Sequence, residues 1–305
     1  MQIDQHQALE ESSKIEQRFT FARCTVPHAE HPERNEDTIL IERRRGLAAV
    51  FDGVGSVAHA DVASRTAARC MRSGWRRALA FVQQLPGILT TEQTLDVPSL
   101  LCSLVENARL SIRAQGELSV QEDGSETLLC GETTIAFAVL CLDLAEKRSL
   151  LYYAHVGDSR VYLLSQGKPI RRLTRDDGYF ALQMSKELMS EQDAQRIDQA
   201  SSADELTEEE KGHFEKRNGI TQSLGLKEIE VHTGCTSLLP GDRVLLCTDG
   251  LHDNLTDKEI EEIVRNSART SAAHALIQQA IVRSQQEHLR AKKDDMSAVV
   301  ITCLV

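Results

Sequence analysis

No stretch of the 305-residue chain approaches the roughly 18 uninterrupted apolar residues that a membrane-spanning helix needs. The opening MQIDQHQALEESSKIEQRF is polar and acidic, with no apolar heart for a secretory signal, which points to a cytoplasmic protein. An excess of basic charge is missing too. The 35 Lys and Arg face 46 Asp and Glu, a formal net charge of -11. That balance argues against broad nucleic-acid binding and against docking on anionic membranes. It leaves a phosphorylated substrate open, because bound metal ions reverse the local field at an acidic site. Eight cysteines are present but none forms a C-x-x-C pair, and several sit inside apolar runs such as IAFAVLCL and RVLLCTDG. Reduced core cysteines explain that placement better than zinc or disulfide chemistry. Ten histidines fit no H-E-x-x-H or paired metal spacing, and His155, inside a strand pattern, reads as a satisfied core histidine. There is no G-x-S-x-G elbow and no G-x-x-x-x-G-K-[ST] phosphate loop. Serine-hydrolase and P-loop chemistry are thereby set aside.

What is present comes in blocks. Residues 1–17 read as a polar lead-in and 18–305 as one domain. Strand patterns occupy FTFARCTV, DTILIE and GLAAVFDG. A helix is predicted from Asp61 to Leu85, with Val62, Ala63, Ala67, Cys70, Met71 and Trp75 near helical spacing and the Pro86–Gly87 pair ending it. A second is expected from Pro98 to about Gln115. Strands return in TTIAFAVLCLD, SLLYYAHVGDS and RVYLLSQG, the last closed by hairpin chemistry in QGKP. Residues 176–218 then turn acidic and helix-forming, with a capping box at Thr207 and Glu210. They suit either a solvated insertion or a mobile flap. The last third offers the strand in DRVLLCTDG, a helix opening on the Thr256–Glu259 capping box, a helix over about Ser271–Arg290 and the strand MSAVVITCLV. Blocks of this kind favour an α+β fold of antiparallel sheets covered by helices.

Acidic residues recur where apolar strands end. Asp52, Asp158 and Asp249 each follow such a run beside a glycine, Asp294 stands at the start of the final strand, and Glu36 and Asp37 precede TILIE. A carboxylate at the mouth of a hydrophobic strand is costly to bury without a cation or donors. Gathered at one rim, these would form an oxygen-rich cluster suited to hard cations such as magnesium or manganese. The following glycines let the backbone turn tightly there.

The ordered segments RNED (34–37), VFDGVGS (50–56), GETTIAF (131–137), AHVGDSRVYLL (154–164), LTRDD (173–177), ITQSLG (220–225), PGDRVLLCTDGLHDNLT (240–256) and DDMSAVVI (294–301) are together similar to those of the metal-dependent type 2C serine/threonine protein phosphatases. The resemblance covers nearly the whole chain after the lead-in. It implies a four-layer α-β-β-α sandwich with two central antiparallel sheets and a two-metal centre at one end. It implies two divalent cations, manganese or magnesium, with a third held more weakly. Carried over by position, Asp52 bridges both metals and Gly53 lends its carbonyl. Asp249 and Asp294 complete one metal's ligands, Glu36 serves the other, Asp37 orients bound water and Asp158 helps hold the third ion with Asp249. The implied reaction is hydrolysis of phosphoserine and phosphothreonine in a protein partner by a hydroxide that bridges two metals. A monomer with no nucleic-acid or membrane partner is expected.

Four positions depart from the family pattern. Pro32 stands where an arginine commonly grips phosphate, which leaves Arg34 or His31 as substitutes. Val54 replaces a histidine found in animal members, Ser56 replaces a glycine, and Asp295 replaces an asparagine and adds negative charge near the metals. None removes an implied ligand, which weighs against a non-catalytic phosphoprotein-binding relative. A hydrolase of small phosphate esters is the other alternative, and the 176–218 segment is the place where the two would differ.

Overall fold

Every residue of LAAVF (47–51) and of IAFAVLCLD (135–143) is buried, although antiparallel strands commonly wet one face. The computed structural model, which describes residues 17–83, 96–120, 126–143, 146 and 148–305, shows why: both faces of both central sheets are covered. One sheet runs β1 (Phe19–Val26), β12 (Met296–Cys303), β11 (Arg243–Cys247), β8 (Arg160–Leu164), β9 (Arg171–Arg172). The other runs β10 (His232–Leu238), β7 (Arg148–Val156), β6 (Ile135–Asp143), β3 (Leu47–Phe51), β2 (Thr38–Glu42). All pairings within them are antiparallel.

The period of two in each strand sorts its side chains between layers. Val50, Ala136 and Ala138 pack with Val161, Val244, Leu246, Val299 and Ile301 between the sheets. Their chain neighbours Ala49, Phe51 and Phe137 face outward, onto Met71 and Trp75 of helix α1 (Ala60–Gln83) and onto Leu101 and Val105 of helix α2 (Val97–Arg113). On the far side, Tyr162, Leu245 and Val300 meet Ile260 and Val264 of α7 (Asp257–Asn266) and Leu276 and Ile277 of α8 (Ala272–Ser284). The result is the four-layer α-β-β-α sandwich that the resemblance implies.

Several local expectations need correction. Val62 lies off the buried face of α1, with 36% of its surface exposed. The helix expected to reach Arg290 ends at Ser284. The freed Arg290 is fully buried and donates to the carbonyls of Ala200 and His252, 3.1 and 2.7 Å away. β10 and the hairpin of β4 (Glu117–Val120) and β5 (Glu126–Leu129) have no apolar signature strong enough to announce them. β10 is an edge strand of HTGCTSL, where half-exposed polar residues are tolerated. Of the eight cysteines, all free, Cys141, Cys247 and Cys303 are buried, whereas Cys235 on β10 is exposed. The Pro86–Gly87 pair and residues 1–16 lie outside the described residues.

Between β9 and β10 the chain forms three short helices, α3 (Tyr179–Ser185), α4 (Glu191–Asp198) and α5 (Glu208–Glu215). The Thr207–Glu210 capping box is complete, as is that of Thr256 with Glu259. Ile197, Ala200, Leu206 and Phe214 make a small core of their own within this segment. Polar anchors tie it to the sandwich. Arg160 of β8, directly after Asp158 and Ser159, donates to Asp176 at 2.6 Å and to Asp198 of α4 at 3.2 Å.

Candidate metal centre

Three strand ends deliver the first carboxylates. Asp52 follows the last residue of β3, Asp158 comes two residues after β7, and β11 leads through Thr248 into Asp249, the first residue of α6 (Asp249–His252). One oxygen from each of Asp52, Asp158 and Asp249 lies within 4.8 Å of the other two. The backbone fixes this convergence. The Asp52 carbonyl accepts from the Thr134 N–H and the Thr133 hydroxyl, both at 2.8 Å. Gly157, at φ 94°, turns the chain so that Asp158 can follow β7 into the cluster.

The remaining residues named from the sequence are set around this core. Asp37 is buried, with Oδ2 accepting from the Thr248 hydroxyl at 2.8 Å. Asp294 stands two residues before β12, and its charge acts on Asp37, Asp52 and Asp249. Glu36 packs against Gly53. A Cβ on that glycine would come within 2.9 Å of both the Glu36 Cβ and the Ala60 backbone, so only glycine lets the two approach. Glu36 does not belong to the 4.8 Å group. Arg34 is half exposed and pairs with the Glu36 carboxylate. Both lie on a cavity of about 390 Å³ shared with His28, His31, Lys293 and Asp294.

Burial followed by mutual repulsion sets the electrostatics. Loss of water pushes Asp52 and Asp158 well above the ordinary carboxylate range, and the Asp249 charge pushes both further. Asp37 rises for the same first reason, with the Thr248 hydroxyl pulling it back. Asp249 itself rises to about 6, mainly by burial, against the pull of Lys292. Asp37 Oδ1 and Asp249 Oδ1 are buried without a hydrogen-bond donor. An ionised oxygen so placed needs a cation, and the donor set here is wholly oxygen. These residues fit magnesium or manganese.

One residue, Lys292, escaped the sequence reading of this site. The Lys292 ammonium contacts Asp249 and lies 2.9 Å from Asp253 and 3.0 Å from Asp294. Burial would by itself raise Asp253, yet this lysine holds it down at about 2. In sequence, KKDD looks like a solvated charge run, and only the turn into β12 folds the first lysine back among the acids. Asp295 adds charge that reaches Asp37, as expected, and has a second role. Its two oxygens accept the His28 and Glu36 N–H groups, each at 2.6 Å. It thereby clamps the loop that carries Glu36.

A pH dependence follows for protein stripped of metal. A carboxylate whose folded pKa is raised binds more protons folded than unfolded, so stability falls as pH rises between the two values. Asp249 ionising between 3.8 and about 6 should withdraw on the order of 1–3 kcal/mol over that window. Lys292→Met should steepen the loss, since it removes the one ammonium contacting three of these acids. Thermal melting in EDTA from pH 4 to 7 checks both, and a flat profile in the variant would refute the second.

Residues 26–292 match the family model described as protein phosphatase 2C. The chain belongs to the protein phosphatase 2C family. It is 25% identical to the serine/threonine phosphatase stp of Listeria innocua over 256 residues, 83% of this chain and 84% of that one. It is 30% identical to the serine/threonine protein phosphatase PstP of Mycobacterium tuberculosis over 247 residues, 81% of this chain and 39% of that protein. The fold superimposes on the crystal structure of the PstP catalytic domain in complex with two manganese ions with a TM-score of 0.63 at 22% identity, covering 94% of this chain and 99% of that one.

Proposed function

We propose that this chain removes phosphate from phosphoserine and phosphothreonine of protein substrates, with two divalent cations, manganese or magnesium, as cofactors. The observation that carries the reading is the cluster of buried Asp158 with the partly buried Asp52 and Asp249, together with the unpartnered oxygens on Asp249 and Asp37. The phosphatase relatives and the manganese bound to the PstP catalytic domain support it. When bound, such cations supply Lewis acidity toward an attacking water and the phosphoryl oxygens.

The chain's own groups have the following roles in this proposal. Asp52, with the Gly53 carbonyl, would help hold both cations. Asp249 and Asp294 serve one cation and Glu36 the other, while Asp158 with Asp249 offers a weaker third position. Asp37, locked by Thr248, orients the water that attacks phosphorus. Arg34, at the mouth of the cavity next to Glu36, is the group placed to meet the phosphate, taking the part that Pro32 cannot. Releasing Arg34 from Glu36 and Lys292 from Asp249 frees both carboxylates for the cations. The three helices of residues 179–215 are proposed as the surface on which a phosphoprotein docks. The enzyme is proposed to act as a cytoplasmic monomer. Among the described residues no helix is long and apolar enough to cross a membrane.

The test uses metal-stripped protein and a phosphoserine and a phosphothreonine peptide, beside para-nitrophenyl phosphate. Manganese or magnesium should restore hydrolysis of all three, with zinc ineffective. A folded protein that stays inactive with every metal, or that cleaves only the aryl ester, would overturn the reading.

A further inference from the structure

A second group of ligating side chains lies outside the acidic centre. β10 pairs with β7 in the register that sets His232 opposite His155. Their rings stack with centroids 5.0 Å apart and planes 29° from parallel. Asp177, two residues before α3, brings Oδ1 to 2.9 Å from His232 Nε2. One ligand atom from each of His155, Asp177 and His232 falls within 4.8 Å of the other two.

The protonation of His155 can be read from its partners. Nε2 lies 2.7 Å from the Arg175 carbonyl, which only accepts, so this nitrogen carries the proton. Nδ1 is then a bare lone pair, and it is buried with no partner in a side chain only 3% exposed. Burial also holds the ring below the ordinary histidine range, which keeps that lone pair free at neutral pH. An imidazole with its outer N–H fixed on a carbonyl and its other nitrogen unused has the arrangement of a metal-bound histidine. The carboxylate is oriented as well, since Asp177 Oδ2 accepts the Gly157 N–H at 2.9 Å.

We propose that His155, Asp177 and His232 form a site for a transition-metal ion of the zinc class, distinct from the acidic centre. Two imidazoles and one carboxylate select zinc, cobalt or nickel over magnesium, whereas the all-oxygen cluster selects the reverse. Bonds of roughly 2.0–2.1 Å place tetrahedral donors about 3.4 Å apart, so the 2.9 Å between His232 Nε2 and Asp177 Oδ1 must open slightly to admit the ion. His232 is the member free to turn: it stands on an edge strand with 37% of its side chain exposed. The three residues border a cavity of about 530 Å³, which leaves the fourth position to water. An ion there pins β10 to the chain entering the 179–215 helices, beside the backbone that carries Asp158.

The test isolates this site in full-length protein carrying Asp52→Asn and Asp249→Asn, so its result does not depend on what the acidic centre does. Cobalt(II) should bind at one equivalent with the intense visible absorption of a four-coordinate ion, and zinc should displace it while excess magnesium should not. His232→Ala and, separately, Asp177→Asn should weaken binding by at least the roughly 10–100-fold that loss of even a ligand's supporting partner costs. His28→Ala should leave it unchanged, which excludes the His28–His31 pair beside Glu36 and Asp294. Melting curves without metal verify that each variant is folded. Folded variants that bind cobalt as tightly as their background, or a background that binds none, would reduce the triad to a hydrogen-bonded His–Asp pair and overturn the proposal.

Discussion

Asp52→Asn should lower kcat/KM for para-nitrophenyl phosphate by at least about 10³-fold, and yet melt higher than its parent in EDTA. Both changes have one cause. Like charge converges on Asp52 from Asp249, Asp37, Asp294 and Asp158, after burial has already removed water. Its negative charge is unfavourable to the fold and useful only when cations answer it. Losing the cation-borne charge stabilisation of the transition state removes several kcal/mol, at 1.36 kcal/mol per tenfold in rate. An amide of the same shape removes repulsion instead, and about 1 kcal/mol of relief moves the melt of a chain this long by roughly 1.5 °C. Activity and melting of parent and variant, each with manganese and with EDTA, decide the matter. Retained activity would remove Asp52 from the centre. A lower melt in EDTA would mean that Asp52 has a structural partner and that the electrostatic account is wrong.

Arg160→Met should destabilise the protein by about 3–5 kcal/mol, the usual consequence of taking one partner from a buried ion pair. Arg160 is 2% exposed and donates to Asp176, Asp198 and the Tyr162 hydroxyl. Burial alone would raise both aspartates, yet the Arg160 and Arg172 charges hold them below the ordinary range. Their contribution to stability is therefore present at neutral pH and fades as pH falls below the ordinary 3.8. With Arg160 gone, the more distant Arg172, at 3.4 and 3.6 Å, faces the partly buried Asp176 and the buried Asp198, and the Arg290 charge still acts on Asp198. Adding Asp176→Asn and Asp198→Asn should recover most of the loss, because the penalty lies in the orphaned charges and not in the missing arginine. Urea unfolding of the single and triple variants measures this. Equal stability of the two would refute it. Asp198 closes α4, so proteolysis of Arg160→Met should begin within residues 179–215.

The sequence by itself determined that antiparallel sheets are covered by helices and that aspartates stand at strand ends, while the four-layer plan and the ligand roles came with the resemblance. Continuous apolar runs such as LAAVF and IAFAVLCLD, rich in β-formers and bounded by turn residues, read as buried strands, and the helical spacing of Met71, Trp75, Leu101 and Val105 supplies one cover. Aspartates at the ends of such runs advertise themselves, because a carboxylate beside buried apolar residues demands an explanation. Helix starts at Thr207 and Thr256 were equally legible, since a capping box acts across three residues.

Only the tertiary structure decided what crosses the chain. Lys292 among three acids, Asp295 clamping His28 and Glu36, and Arg160 joining β8 to α4 each depend on partners up to 267 residues away. His155 and His232, 77 positions apart, became neighbours only through the register of β7 and β10. The physical reason is the range of the interactions. Hydrophobic period and capping act within a few residues and so leave a mark in the sequence. Charge pairing, hydrogen bonding to backbone and ligand geometry act through space, and any lysine or histidine looks alike until the fold has chosen its neighbours.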